Sequence, residues 1–480
     1  MLVVGGGLAG LELAKELENR GCDGVLVVEA GPVADLRHVN ETHSEAVSTE
    51  KCFAPETDEH FHRPYVSGSA PHYTLNSGLR RRLGGRSLYW HGVVLPLEPW
   101  ALAEPSWPAE VVADLVRSWR GGPSLYERVT AGLQAWQRSG TPKYAGAPAE
   151  VEIGGERLVR TPAACSAAGG GRWRAYSPLD HWLDAGPPAP GGVRFLCDTE
   201  VVAVDVRDGR ATGVAVRQVG ADRVHHLAAD AVVLCAAAVE NARLAIQALT
   251  GAGVLAEPRL GGLADHIVQG FVLRLTTRDR LPEYLRHPAS YVAPARAQER
   301  SYLRVDVHHP EPGEVLVDVR VTGEQLGGPG SYVECRPEGE PPWPATVHTS
   351  MSAQDLDVVA GQRAMLQRFW TALARDTGAA GRPLEFEEFG EQTRTNTFVL
   401  PGSVRKLHHG EPATWVSLLG TEDHEGGTLP LGSALDTRHQ LVGVAGLYAA
   451  GPTTFPRLGA ANPTLTSLAL AHRLAALLAG

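Results

Sequence analysis

The 480-residue chain lacks any stretch of about 18 apolar residues, so no transmembrane helix is expected. It lacks a basic patch: Arg80-Arg81-Arg82 is the longest basic run, and the formal charge is −10. A negative chain without a basic stripe argues against a nucleic-acid partner. A neutral or cationic small substrate suits that field better. Paired cysteines are missing too. Cys22, Cys52, Cys165, Cys197, Cys235 and Cys335 are scattered with no C-x-x-C, and a chain this long needs no disulfide staples, so a reduced, cytoplasmic protein is expected. Lysine is scarce, with only Lys15, Lys51, Lys143 and Lys406 among 44 basic residues. That bias speaks of a GC-rich genome rather than of function. No internal repeat is visible, and no charged leader precedes the first strand, so no targeting segment is expected.

What is present is ordinary for a folded protein: 43% hydrophobic and 20% charged residues, with 54 glycines and 34 prolines that predict many turns. The first thirty residues form the most legible unit. Leu2-Val3-Val4 reads as a buried strand. Gly5-x-Gly7-x-x-Gly10 follows, then a helix to about Arg20 with Leu13 and Leu17 inward and Glu12 and Glu16 outward. Val25 to Val28 reads as a second strand ending at Glu29. Gly5 permits a tight turn, Gly7 lets the backbone approach a pyrophosphate, and Gly10 lets helix and strand touch. The helix N-terminus, with Leu8 and Ala9 beside those glycines, offers N–H groups to the anion. Glu29, followed by Ala30, stands nineteen positions beyond Gly10, where an acid can hold ribose hydroxyls. This βαβ unit predicts dinucleotide binding, and by itself does not separate FAD from NAD.

Further along, Val193 to Val216 predicts a hairpin turning at Asp208-Gly209. A strand is expected from Asp230 to Cys235 and a helix from Val239 to Leu249. The 271–347 segment reads as strands, 353–375 as a helix, and the last helix starts at Pro463. His60, His62 and His72 cluster, but without cysteine or carboxylate partners at ligand spacing no metal site is expected. Trp107, Trp119 and Trp136 read as packing residues.

Three further blocks carry a family resemblance. Arg82-Leu83-Gly84-Gly85-Arg86-Ser87-Leu88-Tyr89-Trp90 is one, and Ala236-Ala237-Ala238-Val239-Glu240 with Arg243-Leu244 is another. The last sixty residues are the third, with His424-Glu425-Gly426-Gly427-Thr428 and Gly459-Ala460-Ala461-Asn462-Pro463-Thr464-Leu465-Thr466. Together they resemble the glucose–methanol–choline (GMC) oxidoreductases, closest in motif to pyranose-oxidising members. The resemblance covers both ends and the 190–266 block, and none is visible over about 270–410. It implies an α/β protein: a Rossmann-like FAD-binding domain from 1–99, 190–269 and 415–480, a helical cap insertion at 100–189, and a substrate domain at 270–414 on an antiparallel or mixed sheet.

It also implies roles. Gly84, Gly85 and Ser87 match the second glycine signature beside the flavin. Members that attach flavin covalently carry His where this chain has Tyr89, so non-covalent FAD is expected, with Trp90 alongside. Val201 matches the residue that meets adenine, while Ala236 and Glu240 match a turn near the cofactor. Gly451 stands where Asp is usual, and Arg86 where a small residue is usual. Pro463 and Thr464 open the helix that points at the flavin. His424 matches the general base and Asn462 the second catalytic residue; on local sequence alone Asn462 reads rather as a helix cap, and the His424 motif upstream reverses that preference. Asp265-His266 matches a pair read as structural. The implied reaction is oxidation of an alcohol CH–OH to a carbonyl, with hydride transfer to flavin N5 and oxygen or another acceptor taking the electrons. A sugar, aminosugar or sugar-bearing natural product is the expected substrate. A sterol or terpenoid, a redox-silent lyase on the same scaffold, and a flavoprotein monooxygenase or amine oxidase sharing only the first motif are the alternatives.

Overall fold

The computed structural model describes residues 1–480 except 70–76, 104, 138–143, 145, 185–191, 279–280 and 388–401. Its centre is a five-stranded parallel sheet with the spatial order Arg194–Leu196, Leu26–Val28, Leu2–Val4, Val232–Leu234 and Leu447–Ala449. The sheet therefore gathers strands from both ends of the chain and from its middle. Leu2, Val3 and Val4 pair on one side with Leu26, Val27 and Val28, and on the other with Val232, Val233 and Leu234. Strands this apolar are expected where both faces are covered.

The helix Leu8–Asn19 follows the first strand and packs against the last helix, Thr464–Leu478. That contact corrects one expectation. Glu12 does not face outward; it is 2% exposed. It accepts hydrogen bonds from Lys15 Nζ at 2.6 Å and Tyr176 Oη at 2.7 Å, and its Oε1 lies 2.7 Å from His472 Nε2. Burial opposes its charge, but the bond to His472 and the charge of Lys15 bring its pKa down to about 2.

A three-stranded antiparallel meander, Thr199–Arg207, Arg210–Gln218 and Val224–Ala228, stands beside the central sheet. Its turn falls at Asp208 (φ 49°) and Gly209 (φ 70°), the paired left-handed geometry that suits a two-residue hairpin. The helix Ala238–Gly251 packs on it.

The largest sheet has seven strands in the order Pro412–Val416, His266–Thr276, Glu314–Glu324, Ser301–His308, Ala289–Val292, Glu156–Arg160 and Glu150–Ile153. The last two come from the segment expected to be a helical cap; they pair here with each other and extend the sheet from Ala289–Val292 to its edge at Glu150–Ile153, while Ala109–Val116 and Leu125–Gln137 supply the helices. One face is apolar. Leu303, Val305, Val307, Val317 and Val319 pack there with Leu366, Phe369 and Trp370 of the helix Ala353–Thr377. That helix begins with a capping box between Ser352 and Asp355. The other face carries Tyr302, Arg304 and Asp306 on one strand and Asp318, Arg320 and Thr322 on the next, as the strand period of two requires. A four-stranded sheet of Arg259–Gly261, Tyr332–Cys335, Ala345–His348 and Tyr65–Ser67 flanks the large one. No helix among the described residues is long and apolar enough to cross a membrane.

Candidate active site

A long cavity runs from the first glycine turn to the polar face of the large sheet. Gly5, Gly7, Leu8 and Ala9 line one end, with Glu29, Ala30, Val201, Ala236 and Glu240. Gly85, Ser87, Tyr89, Trp90, Gly451, Pro463 and Thr464 line its middle, and His424, Asn462, Arg304, Arg320 and Glu422 its far end. Gly10 and Gly84 are not among the lining residues. Gly10 serves the turn itself, since a Cβ there would collide with the Gly5 carbonyl; at Gly84 (φ +98°) one would lie 2.5 Å from Leu88.

Two helix N-termini open into this cavity. The helix Leu8–Asn19 begins after Gly7 and Thr464–Leu478 after Pro463; among the described residues neither has a side-chain cap. Their free N–H groups and positive ends suit an anion or an electron-rich ring edge. A Cβ on Gly7 would meet nothing within 4 Å among the described residues, leaving an open space at the turn. Glu29 accepts the Gly6 N–H at 2.7 Å and the Gly31 N–H at 2.8 Å, which locks the turn around it. Burial raises its pKa to about 7.

In the second glycine signature, Ser87 Oγ donates to the Gly84 carbonyl at 2.7 Å and meets Ser177 Oγ at 2.7 Å. Tyr89 Oη accepts from Arg82 at 3.0 Å, and Trp90 Nε1 donates to the Tyr176 carbonyl at 2.8 Å. Arg86, unusual for this motif, has a clear role. It bonds Glu425 at 2.7 Å and pairs with Asp423 at 2.9 Å, tying the signature to the residues on both sides of His424. Burial raises Asp423 to about 6 despite that partner. Gly451 has φ +87°, a left-handed conformation that an aspartate would adopt only with strain.

The sequence left Asn462 between two roles. The structure gives the N-cap position to Pro463, and the Asn462 side chain points elsewhere. Its Nδ2 lies 3.2 Å from His424 Nε2, and its Oδ1 accepts from Tyr302 Oη at 2.9 Å. His424 Nδ1 in turn lies 2.8 Å from His266 Nδ1, and His266 Nε2 lies 3.1 Å from the Gly459 carbonyl. Burial holds His424 well below the usual histidine range, and the charges of His266, Arg86 and Arg304 act the same way. His266 is lowered to about 4 by burial. Both rings are therefore neutral near pH 7, and His424 is free to accept a proton.

Sequence reasoning missed Tyr302, Arg304, Arg320 and Glu422. The two arginines are paired on the sheet, Arg304 with Asp306 at 2.9 Å and Arg320 with Asp318. A signal was available: Tyr-x-Arg-x-Asp at 302–306 and Asp-x-Arg-x-Thr at 318–322 alternate charge with valine or leucine. Strands that otherwise read as core should not carry such a row unless it faces a polar cavity. Of the clustered histidines, His62 lines the cavity and His60 sits against Asp35 and Glu59, while His72 lies outside the described residues. Asp265, His266 and His424 also bring ligand-type atoms within 4.8 Å of one another. The two rings bond each other there, and Asp265 accepts the His266 and Gly420 N–H groups at 2.7 and 2.5 Å.

A parallel sheet whose glycine turn shares one cavity with a histidine and an asparagine is an architecture suited to a dinucleotide. The comparisons narrow that reading. Residues 337–471, a little over a quarter of the chain, match the family model described as GMC oxidoreductase. Its fold is similar over 99% of its length to pyridoxine 4-oxidase from Mesorbium loti, with 18% identity, TM-score 0.59 and 98% of that chain covered. It is likewise similar over 99% to an FAD-dependent oxidoreductase from Chaetomium thermophilum, with 15% identity, TM-score 0.57 and 98% of that chain covered. At such identities the likeness speaks for the fold. No curated protein matches the chain in sequence.

Proposed function

We propose that this protein is an FAD-dependent oxidoreductase that converts an alcohol CH–OH to a carbonyl. The observation that carries the reading is the 3.2 Å pair of His424 Nε2 and Asn462 Nδ2, set in the same cavity as the dinucleotide turn. The residues present suit FAD. The uncapped helix at Gly7 and the open space there fit a pyrophosphate, and Glu29, Ala30 and Val201 fit the adenosine side. Gly85, Ser87, Tyr89, Trp90, Gly451, Pro463 and Thr464 line the stretch a flavin ring would take. When bound, FAD supplies the two-electron acceptor for the hydrogen on the alcohol carbon.

The chain's own residues do the rest. The substrate hydroxyl inserts between His424 and Asn462. Its O–H proton passes to His424 Nε2, whose depressed pKa keeps it unprotonated beforehand. Asn462 Nδ2–H donates to the same oxygen as negative charge builds there. Tyr302 holds the Asn462 carbonyl, so the amide presents its N–H side to the substrate.

The substrate wall supports a polar alcohol. Arg304, Arg320 and Glu422 make that end of the cavity charged and rich in donors. Glu422 makes no hydrogen bond among the described residues, and burial raises its pKa. A hydroxyl-rich sugar, aminosugar or sugar-bearing natural product offers partners to Glu422 and to the remaining N–H groups of the two arginines, whereas a sterol or terpenoid would strip water from them and offer none. An anaerobic panel of sugars, aminosugars and apolar alcohols, read at the flavin absorbance band, tests the reading. Bleaching by polar members is expected. A flavin untouched while substrate is consumed would favour the lyase.

A further inference from the structure

We infer that His266 is a positioning residue that fixes the tautomer of His424, so that the lone pair of His424 Nε2 faces the substrate. The inference deepens the proposed reaction and rests on it for its catalytic meaning. Its argument is hydrogen-bond accounting along one line of groups.

The line begins at the Gly459 carbonyl. A carbonyl only accepts, so His266 Nε2, 3.1 Å away, must carry the hydrogen. A neutral imidazole has one N–H, which leaves His266 Nδ1 as an acceptor. His424 Nδ1, 2.8 Å from it, must then be the donor. That assigns the single hydrogen of His424 to Nδ1 and leaves Nε2 bare. The far side agrees: Asn462 turns its Nδ2, a donor, toward Nε2, while its Oδ1 is taken by Tyr302. Every polar atom in the line then has one complementary partner.

The anchor of the line is itself held. Gly459 has φ +65°, its N–H donates to Glu324 at 3.2 Å, and Arg457 grips Glu324 at 2.6 and 2.7 Å. On the other side, Ala264 and Gly426 exchange two backbone hydrogen bonds, at 2.9 and 3.1 Å, which bring the His266 and His424 segments together. His266 is 2% exposed, so no water competes for its ring.

A histidine does here what a carboxylate could do only at a cost. A carboxylate would also accept from Nδ1, but its charge would raise the base's affinity for protons and fill Nε2 before substrate arrives. A neutral ring fixes the orientation without that charge. When the substrate hydroxyl gives its proton to Nε2, the O–H bond breaks and the N–H bond forms. The Nδ1–H of His424 still points at His266, which can share the resulting positive charge.

The test uses the FAD-loaded enzyme with 15N-labelled histidine, observed by NMR at neutral pH, with His424→Ala assigning the ring. The expected signature is hydrogen on His424 Nδ1 and none on Nε2. His266→Phe should move that hydrogen to Nε2 and slow flavin reduction by about a hundredfold or more, with FAD content unchanged. His266→Asn keeps an acceptor and should restore the Nδ1–H signature and part of the rate. A wild-type His424 protonated on Nε2 overturns the inference, and so does a His266→Asn spectrum matching wild type when His266→Phe also matches it. If His266→Phe does not fold, the wild-type and His266→Asn spectra decide. Should no alcohol reduce the flavin while the Nδ1–H signature is present, the proposed reaction fails and the role of His266 stands.

Discussion

Replacing Gly7 with alanine separates what the fold needs from what the cofactor needs. Gly7 has φ −87° and ψ −168°, which any residue adopts, and a Cβ built there meets nothing within 4 Å among the described residues. For the cofactor-free protein the change should be neutral or slightly stabilising, by about 0.4–1 kcal/mol, because alanine restricts the unfolded chain. The holoenzyme should behave in the opposite way. The open space at Gly7 is where the pyrophosphate must approach the helix N-terminus. A methyl there pushes the phosphates off at least one charge-assisted hydrogen bond, each worth roughly 1.5–3 kcal/mol. That is a loss of about ten- to a hundredfold in FAD affinity. Gly7→Val should be worse. The control is Gly10→Ala, whose Cβ would collide with the Gly5 carbonyl, so the fold itself must shift. Two measurements check the idea: thermal unfolding of the flavin-free protein, and FAD titration followed by flavin fluorescence. If flavin-free Gly7→Ala melts well below wild type, or if it binds FAD as tightly as wild type, the reasoning is wrong.

Other outcomes follow from the same geometry. His424→Ala should slow flavin reduction by about two orders of magnitude or more while FAD content and fold survive, checked by anaerobic stopped flow. Acid precipitation should release the flavin into the supernatant, because Tyr89 occupies the position of an attachment histidine; yellow pellets would refute this. Because the pKa of His424 is depressed, the base stays unprotonated as pH falls through 6.5, and the rate of flavin reduction should begin to fall only well below that value. Asn462→Asp places a carboxylate beside His424, raises its pKa and should move that acid limb upward; an unmoved limb would show that Asn462 does not face the base. Arg86→Met leaves Asp423 and Glu425 without their cation and should destabilise the protein by roughly 3 kcal/mol or more in denaturant titrations.

The parts of this protein that were legible in advance are those whose physics is local. A glycine turn, an apolar strand and a hairpin at Asp208-Gly209 each follow from a few adjacent residues. So does the helix at Ala353–Thr377, expected over 353–375 and opened by a capping box between Ser352 and Asp355. Glu12 was misjudged because its burial depends on Tyr176 and His472, which lie 164 and 460 positions away. Helical periodicity reports which face is apolar, not whether a second helix will cover the polar one. Arg86 looked like a departure from its motif until Asp423 and Glu425 were seen against it, 337 or more positions along the chain. His266 was read as structural for the same reason: nothing adjacent to it names His424, which stands 158 residues on.

The polar sheet face shows how specificity and chemistry can be built from separate physics within one cavity. At the dinucleotide end the groups are backbone N–H donors at two helix starts, fixed by the fold and indifferent to side-chain identity. At the substrate end they are side chains. Arg304 lies directly opposite Arg320 across the strand pair, and Asp306 opposite Asp318. Like charges face each other in register, an arrangement that would be unfavourable alone. Pairing along each strand, Arg304 with Asp306 and Arg320 with Asp318, offsets it. Such a grid holds its guanidinium groups rigidly while leaving them hydrogen-bonding capacity toward the cavity. Substitutions in this grid should therefore change which alcohol is accepted more than whether one is oxidised, whereas substitutions along the line from Gly459 through His266 and His424 to Asn462 should do the reverse. The strand Ser301–His308 carries Tyr302 into that line and Arg304 into the grid two residues later, so a substitution that shifts this strand should change substrate preference and rate together.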